Sequence, residues 1–396
     1  MQLNHSLQLT YCTSVHRSES WPETFCALQT HTLAVREKVC PRRPFGIGLR
    51  LSERSAVELS DPPTLLEFRR WLGKNSSYVF TLNGFPYGQF HGVRVKENLY
   101  RPDWTSPERV AYTNLLFNLL AELLPPGMEG SVSTLPGSFK EFYPSAEAVK
   151  TMRHNTWSCV EHAARVSEKT GRLLHLALEP EPLCLLESTA ETLHAFDHFR
   201  AEHPHDDRLA RHLGINYDAS HFAVEFEEPQ NALACLLNAG IKISKIQLSS
   251  ALKVLPTPAT REALKPFASD PFLHPVVTRD AAGNRTIFRD LPDALAQAAA
   301  AGENEEAGLP EWRIHFHVPL HAPPAPPFMN TNEHVQAVLD MLAASPTLCS
   351  HLEMETHTWE VLPPELKSRS IVEQLAAEYD WTLAQLRERG LARPGD

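Results

Sequence analysis

The sequence predicts an α/β fold, a closed (β/α)8 TIM barrel with an insertion between its seventh and eighth strands. Three observations carry that prediction. Short apolar or alternating runs recur at roughly 30–45 residue intervals with helical patterns between them, the signature of a parallel sheet. The chain has 396 residues, enough for one large barrel with insertions. Carboxylates, imidazoles and amides gather at the C-terminal ends of successive strand candidates, where a barrel enzyme builds its site.

The elements follow in order. Leu9–Val15 reads as the first strand and Trp21–Lys38 as an amphipathic helix after it. Phe45–Leu51 precedes a helix over Pro63–Gly73, and Tyr78–Gly84 precedes one over Pro107–Leu124, which Pro125-Pro126 ends. Ser131–Leu135 is the fourth strand, before a helix over Val160–Lys169. Leu173–Leu178 and Gly214–Tyr217 are the fifth and sixth, before helices over Thr189–His203 and Asn231–Ala239. Lys242–Leu248 is the seventh.

Two further strand candidates remain, Arg313–Val318 and Leu352–Thr356, which is one more than a barrel needs. Leu352–Thr356 reads as strand eight. Lys253–Glu311 reads as inserted, with a hairpin turning at Ala282-Gly283-Asn284, an Ala-rich helix over Pro292–Ala301 and a polar loop over Gly302–Gly308. Arg313–Val318 would then lead back over the barrel mouth. The expected organisation is a single barrel domain over 1–396, with 253–312 inserted near the mouth. Ala322–Pro327 reads as a rigid connector, and Ser370–Gly390, with Ile371, Leu375, Leu383 and Leu386, as a helix across the barrel exterior.

Composition limits the function. Lys+Arg number 37 against 48 Asp+Glu, a formal net charge of −11, with 42% hydrophobic and 21% charged residues. That balance is globular, and it disfavours nucleic acid and anionic membrane as partners, since both need a basic surface. No apolar run approaches the roughly 18–20 residues of a membrane span. The N-terminal residues show no basic region followed by an apolar one, as a signal peptide would. Seven cysteines form no CxxC pair and read as reduced thiols of a cytoplasmic protein.

The expected site collects at the strand ends. Strand one leads to His16, strand two ends at Arg50 and strand three at Asn83. Lys140 follows strand four, and Glu179 and Glu181 follow strand five. Asp218 and His221 follow strand six, Lys245 and Gln247 lie on strand seven, and Glu353 and Glu355 lie on strand eight before His357. The extra strand offers His315 and His317. A carboxylate buried at the end of an apolar strand costs several kcal/mol unless paired or metal-bound. Glu179, Asp218 and Glu355, converging on one mouth, would repel unless a divalent cation held them together. With imidazoles beside them the set suits Mn, Zn, Co or Fe, and Mg less well.

Plainer readings stand beside these. Glu181 could be solvated on its loop, and Glu353 could be a buried partner of Lys245 or Arg50. His315 and His317 share one strand face and could be satisfied histidines of a polar barrel layer. His91, His154, His162, His194, His198, His203 and His205 read as surface residues, and Trp359 as a core or rim anchor.

LALEPEP around Glu179, INYDASH around Asp218 and LEMET around Glu355 resemble the metal-binding strand ends of the xylose-isomerase-like TIM barrels. That superfamily holds sugar isomerases, sugar epimerases and endonuclease IV. The resemblance implies a metal held by a Glu after strand five, an Asp after strand six, a His on strand seven and a Glu on strand eight. His221 matches the His of an Asp-x-x-His pair, but Gln247 stands where the family has His. The fourth ligand is therefore Gln247 or His317. Over most of the chain, LTYCTSVH, PFGIGLRLS, YVFTLNGFPYGQFHG, LALEPEPLCLLE, IHFHVPLH and HLEMETHTWEVLPPEL resemble the EboE family of metabolite traffic proteins. This implies a role in making or moving a small metabolite, with products of the same gene cluster as possible partners.

The expected activity is a divalent-metal isomerase or epimerase acting on a sugar-like or cyclitol-like polyol, free or phosphorylated. Glu179 and Glu355 would exchange a proton as base and acid, and His221 would orient or protonate a hydroxyl. The substrate would meet His16, Arg50, Asn83, Lys140, Glu181, Lys245 and His315. The metal set is Glu179, Asp218, Gln247, His317 and Glu355. The alternatives are a metal-dependent phosphoester hydrolase of the endonuclease IV type and a non-catalytic metabolite-binding protein.

Overall fold

The computed structural model describes residues 1–89, 95–269, 272–300 and 308–395. His91 and most of the expected 302–308 loop lie outside them. The strands in chain order are β1 (Gln8–Tyr11), β2 (Phe45–Arg50), β3 (Ser77–Asn83), β4 (Gly130–Thr134), β5 (Leu174–Leu178), β6 (Leu213–Asp218) and β7 (Lys242–Leu248). After them come β8 (Ser250–Val254), β9 (Val276–Arg279), β10 (Arg285–Phe288), β11 (Glu311–Val318), β12 (Met329–Asn330) and β13 (His351–Met354).

One sheet of eight parallel strands runs β1-β13-β7-β6-β5-β4-β3-β2. Its two ends meet. Cys12 bridges to Gly48 in parallel register, and Thr10 Oγ1 donates to the Gly46 carbonyl (2.9 Å) while accepting from the Gly48 amide (2.8 Å). The sheet is therefore a (β/α)8 barrel sealed at one seam by a threonine side chain. Gly48 is required there: a Cβ would lie 1.8 Å from Glu353 Oε1 and 2.8 Å from the Tyr11 carbonyl oxygen. Successive residues of a strand face opposite ways, so one face of each strand packs outward on the helices. Buried Leu, Ile, Phe and Val there join the helix faces in one large core.

The helices begin where capping chemistry places them. Ser20, Ser188 and Ser370 each close a capping box with a Glu at the third helical position, opening the helices at Trp21, Thr189 and Ile371. The last of these, Ile371–Glu388, buries Leu375, Tyr379, Leu383 and Leu386, with Tyr379 packed edge-on to Tyr11. Among the described residues no helix is long and apolar enough to cross a membrane, and all seven cysteines are free.

Four sequence expectations need correction. The first strand stops at Tyr11, because Thr13–Val15 forms a 3-10 turn that lifts Ser14 toward the barrel mouth. The helix expected over Val160–Lys169 spans Ala146–Thr170. The inserted material begins at Ser250, not Lys253: only Ser249 separates β7 from β8, and no Gly or Pro marks the change. Arg313–Val318 does lead back to the barrel mouth, but not as a single extra strand. It is the centre of a second, five-stranded sheet of order β10-β9-β11-β8-β12. That sheet has its own apolar cluster, with Leu252, Val276, Trp312, Ile314 and Phe316 buried. The expected hairpin is present as β9 and β10, and the Ala-rich helix spans Leu291–Ala300.

Candidate metal and polyol site

The site is built at the ends of β5, β6, β7 and β13 and on one face of β11. Asp218, the last residue of β6, caps the helix Ala219–Val224. Its Oδ1 accepts from Ser220 N (2.8 Å), Ser220 Oγ (2.7 Å), His221 N (3.1 Å) and Ser249 Oγ (2.6 Å). Its Oδ2 is equally buried and has no partner. A buried carboxylate oxygen left unpaired costs the full desolvation of a charged acceptor, which a cation would relieve.

His221 lies on the helix that Asp218 caps. Its Nδ1 donates to the Pro180 carbonyl at 2.9 Å, which leaves the Nε2 lone pair facing Asp218, with Nε2 3.9 Å from Oδ1. A ring fixed through its other nitrogen on a backbone carbonyl is the usual support of a metal-ligating histidine. Burial lowers the His221 pKa, but the carboxylates of Asp218, Glu181 and Glu179 outweigh it and raise the value.

Glu355 follows β13. Its Oε1 meets Ser14 Oγ (3.2 Å) and His357 Nε2 (3.2 Å), and its Oε2 accepts from the Gln247 amide and lies 3.6 Å from His317 Nδ1. Burial raises its pKa; the hydrogen bond from His357 and the charges of His317 and His357 win and hold it well below the ordinary range. Glu179, just past β5, is the opposite case. Burial first, then repulsion from Glu355 and Asp218, push it up to about 8 against the attraction of His221. Glu181 is not solvated: it accepts from Tyr100 OH at 3.1 Å, and burial pushes it up to about 7.

β11 carries His315 and His317 into the same place. His317 Nε2 meets Ser220 Oγ at 3.0 Å and His315 Nε2 at 3.3 Å, and the Nδ1 atoms of both rings have no hydrogen-bond partner. Burial holds both imidazoles below their ordinary pKa. Ser220 Oγ gives its proton to Asp218, so it accepts from His317 Nε2, which leaves a lone pair on His317 Nδ1. Three overlapping groups of ligand atoms result: Glu179, Asp218 and His221; His221, His315 and His317; His317, Glu355 and His357. Within each, the atoms lie within 4.8 Å of one another. These groups could hold a divalent cation. The carboxylate oxygen without a partner and the mixed O/N donor set both fit one.

The remaining expected residues divide. Glu179, Glu181, His221, His315, His317, Glu355, Gln247, Asn83 and His16 line one cavity of about 1150 Å³ at the barrel mouth, with Asp218 just beneath its surface. Gln247 lines it as a bridge. Glu355 can only accept, so the Gln247 amide nitrogen must face it, and the amide oxygen is taken by Asn216 Nδ2. That leaves His317 better placed than Gln247 as the fourth ligand. His16 is held by Tyr11 OH at 2.9 Å and stacks on His31.

Three expected substrate contacts lie elsewhere. Lys140 is turned to the outer helices, paired with Glu187 and with Glu191 at 2.6 Å. The Arg50 guanidinium braces loops through the carbonyls of Ser18 (3.0 Å), Pro86 (3.1 Å) and Gly88 (2.7 Å). Lys245 lies one pleat below the mouth, on Glu353 (2.7 Å), Asn83 Oδ1 (2.7 Å) and Ser133 Oγ (3.0 Å). Each cation meets nearby acceptors before it can reach the cavity. Sequence reasoning placed His357 after strand eight without giving it a role, and missed Ser14, which a 3-10 turn brings to Glu355.

Comparison with protein-family models finds no match, and neither does comparison with curated proteins. Solved structures do match. The L-ribulose 3-epimerase structure is similar at 13% identity over 97% of this chain and 95% of its own, with a TM-score of 0.49. The probable 3-DHS dehydratase AsbF of Bacillus anthracis is similar at 14% identity over 94% and 98%, with a TM-score of 0.48. A xylose isomerase-like TIM barrel protein of Mycobacterium smegmatis, in complex with magnesium, is similar at 12% identity over 98% and 99%, with a TM-score of 0.48.

Proposed function

We propose that this chain is a divalent-metal-dependent isomerase or epimerase of the xylose-isomerase-like kind, acting on a small sugar-like or cyclitol-like polyol. The observation that carries the reading is the buried Asp218 Oδ2 without a partner, set among Glu179, His221 and the β11 histidines. Glu179, Asp218, His317 and Glu355 would hold the metal, with His221 beside them. A divalent cation there would polarise two adjacent substrate oxygens and acidify the C–H between them.

The chain's own groups supply the rest. Glu355 and Glu179 face the same space, and with the cation bound both would be ionised: one would take the proton from carbon and, once protonated, return it, while the proton that metal-free Glu179 holds leaves as the cation binds. His221 and the Glu181–Tyr100 pair orient hydroxyls at the cavity wall. The net charge of −11 supports a small metabolite over nucleic acid. The resemblance to EboE proteins supports a place in the making or movement of such a metabolite, beside products of the same gene cluster, and the seven free cysteines support the cytoplasm.

A second reading has its own support. The extra imidazoles of His315 and His357 give more donors than one cation needs, as a phosphoester hydrolase of the endonuclease IV type requires. Metal analysis of the purified protein tests both. About one equivalent of divalent metal, lost in Asp218→Asn, together with solvent deuterium entering a polyol, supports the first reading. Two or more equivalents with phosphate release from simple esters supports the second. A protein that takes up no stoichiometric metal from metal-replete buffer sinks both and leaves a metabolite-binding role.

A further inference from the structure

Resting on the polyol reading above, we infer that the natural substrate carries an apolar substituent, an aromatic ring or alkyl chain, which lies against a wall built largely by the insertion. The cavity of about 1150 Å³ exceeds the about 300–1,000 Å³ usual for small-molecule sites, and a bare polyol would leave most of it empty. Its ligand groups are gathered at the strand ends. Elsewhere the lining holds Arg17, Glu360 and Lys367, but its large side chains are apolar: Phe267 of the insertion, Phe328 just before β12, Trp359 and Val361 after β13, and Phe85 and Leu99.

Phe85, Phe267, Phe328 and Trp359 are only half-buried. Phe267 packs edge-on to Phe328 (ring centroids 5.8 Å) and to Phe316 (5.7 Å), so the wall is anchored on the apolar cluster of the second sheet. Hydroxyls alone would gain nothing from such a surface, whereas each methylene buried on it tightens binding about fourfold. The wall is continuous with the ligand groups: β11 carries His315 and His317 on one face and Phe316 on the other. The strand that completes the polar end thus also anchors the apolar one.

Calorimetric titration with methyl and octyl β-D-glucopyranoside, the latter below its micelle concentration, tests this. The octyl compound is expected to bind at least about 100-fold tighter than the methyl one. Phe267→Ala/Phe328→Ala is expected to reduce that ratio below about 10-fold while leaving metal content unchanged. Trp359→Ala, read separately, should also lower it, so that poor folding of the double variant does not leave the test empty. Equal binding of the two glucosides, no binding of the octyl compound, or a ratio that survives both variants overturns the inference. A surviving ratio would place the chain elsewhere, as in the cleft of about 540 Å³ beside Met152, Leu186 and Phe199. Repeating the titration on chelator-treated protein separates the two readings, because the apolar wall needs no metal: a ratio kept there stands even if the metal reading fails.

Discussion

The barrel holds two layers of buried charge one pleat apart, and they are built on opposite plans. In the lower layer Lys245 donates to Glu353, Asn83 and Ser133, Asn83 donates to Glu353 at 3.0 Å, and no polar side-chain atom of the four lacks a partner. Two residues further along the chain from Lys245 and Glu353, Gln247 and Glu355 open the upper layer, where Asp218 Oδ2, His315 Nδ1 and His317 Nδ1 are buried without hydrogen-bond partners. A closed network of buried charge is structure. Buried acceptors left over at a cavity mark the place where something else must bind.

Breaking the lower layer should give the largest effect on stability. Lys245→Met leaves Glu353 fully buried without its cation, held only by Asn83, and is expected to cost about 3–5 kcal/mol in urea unfolding. Lys245→Met/Glu353→Leu should recover most of that loss, because neither charge is then stranded. Asp218→Asn in the upper layer keeps the oxygen that accepts from Ser220, His221 and Ser249. It should change the stability of the metal-free protein by less than about 1 kcal/mol while removing metal binding. If Asp218→Asn destabilises as much as Lys245→Met, the two layers do not differ as described.

The pH response separates the layers next. Glu179 and Glu225 are raised to about 8 and Glu181 to about 7, so the folded metal-free protein holds protons that the unfolded chain has released. Stability carried by a raised carboxyl is present at low pH and is lost as pH rises through the folded value. The buried His315 and His317 act the other way, but their contribution is complete once pH passes the ordinary 6.5. Between about pH 6.5 and 8 the metal-free protein should therefore lose stability, on the order of 2 kcal/mol. Saturating divalent metal should flatten that slope and release protons on binding, readable in weakly buffered solution. A metal-free protein whose melting temperature is constant from pH 6.5 to 8 would refute this assignment of charge states.

The barrel was legible because period and punctuation agree: every barrel strand candidate overlaps a barrel strand, and every expected helix overlaps a helix. The carboxylates of the site were legible because a Glu or Asp ending an apolar strand contradicts its surroundings. What stayed hidden depends on contacts distant in sequence. Arg50 and Lys140 look like free cations in one dimension, but carbonyls at 86 and 88 and carboxylates at 187 and 191 meet them first. β8 was invisible because Ser249 gives no turn signal. The role of β11 needed the second sheet, whose partners lie some sixty residues back in the chain for β8.

The smallest expected effect is the most discriminating one within the upper layer. Gln247 touches both neighbours through its amide, with the nitrogen on Glu355 and the oxygen on Asn216. As a bridge it orients Glu355 without contacting the cation, and losing such a supporting bond lowers metal affinity about 10–100-fold. Gln247→Ala should fall at the low end of that range, because His357 and Ser14 still hold the other Glu355 oxygen. His317→Ala removes a lone pair aimed into the site and should weaken metal binding well beyond 100-fold, read by competition with a chromogenic chelator. Equal losses in the two variants would mean that the amide oxygen leaves Asn216 to become a ligand. The position beside Glu355 on strand seven would then bind metal directly, and β11 would supply only the wall behind it.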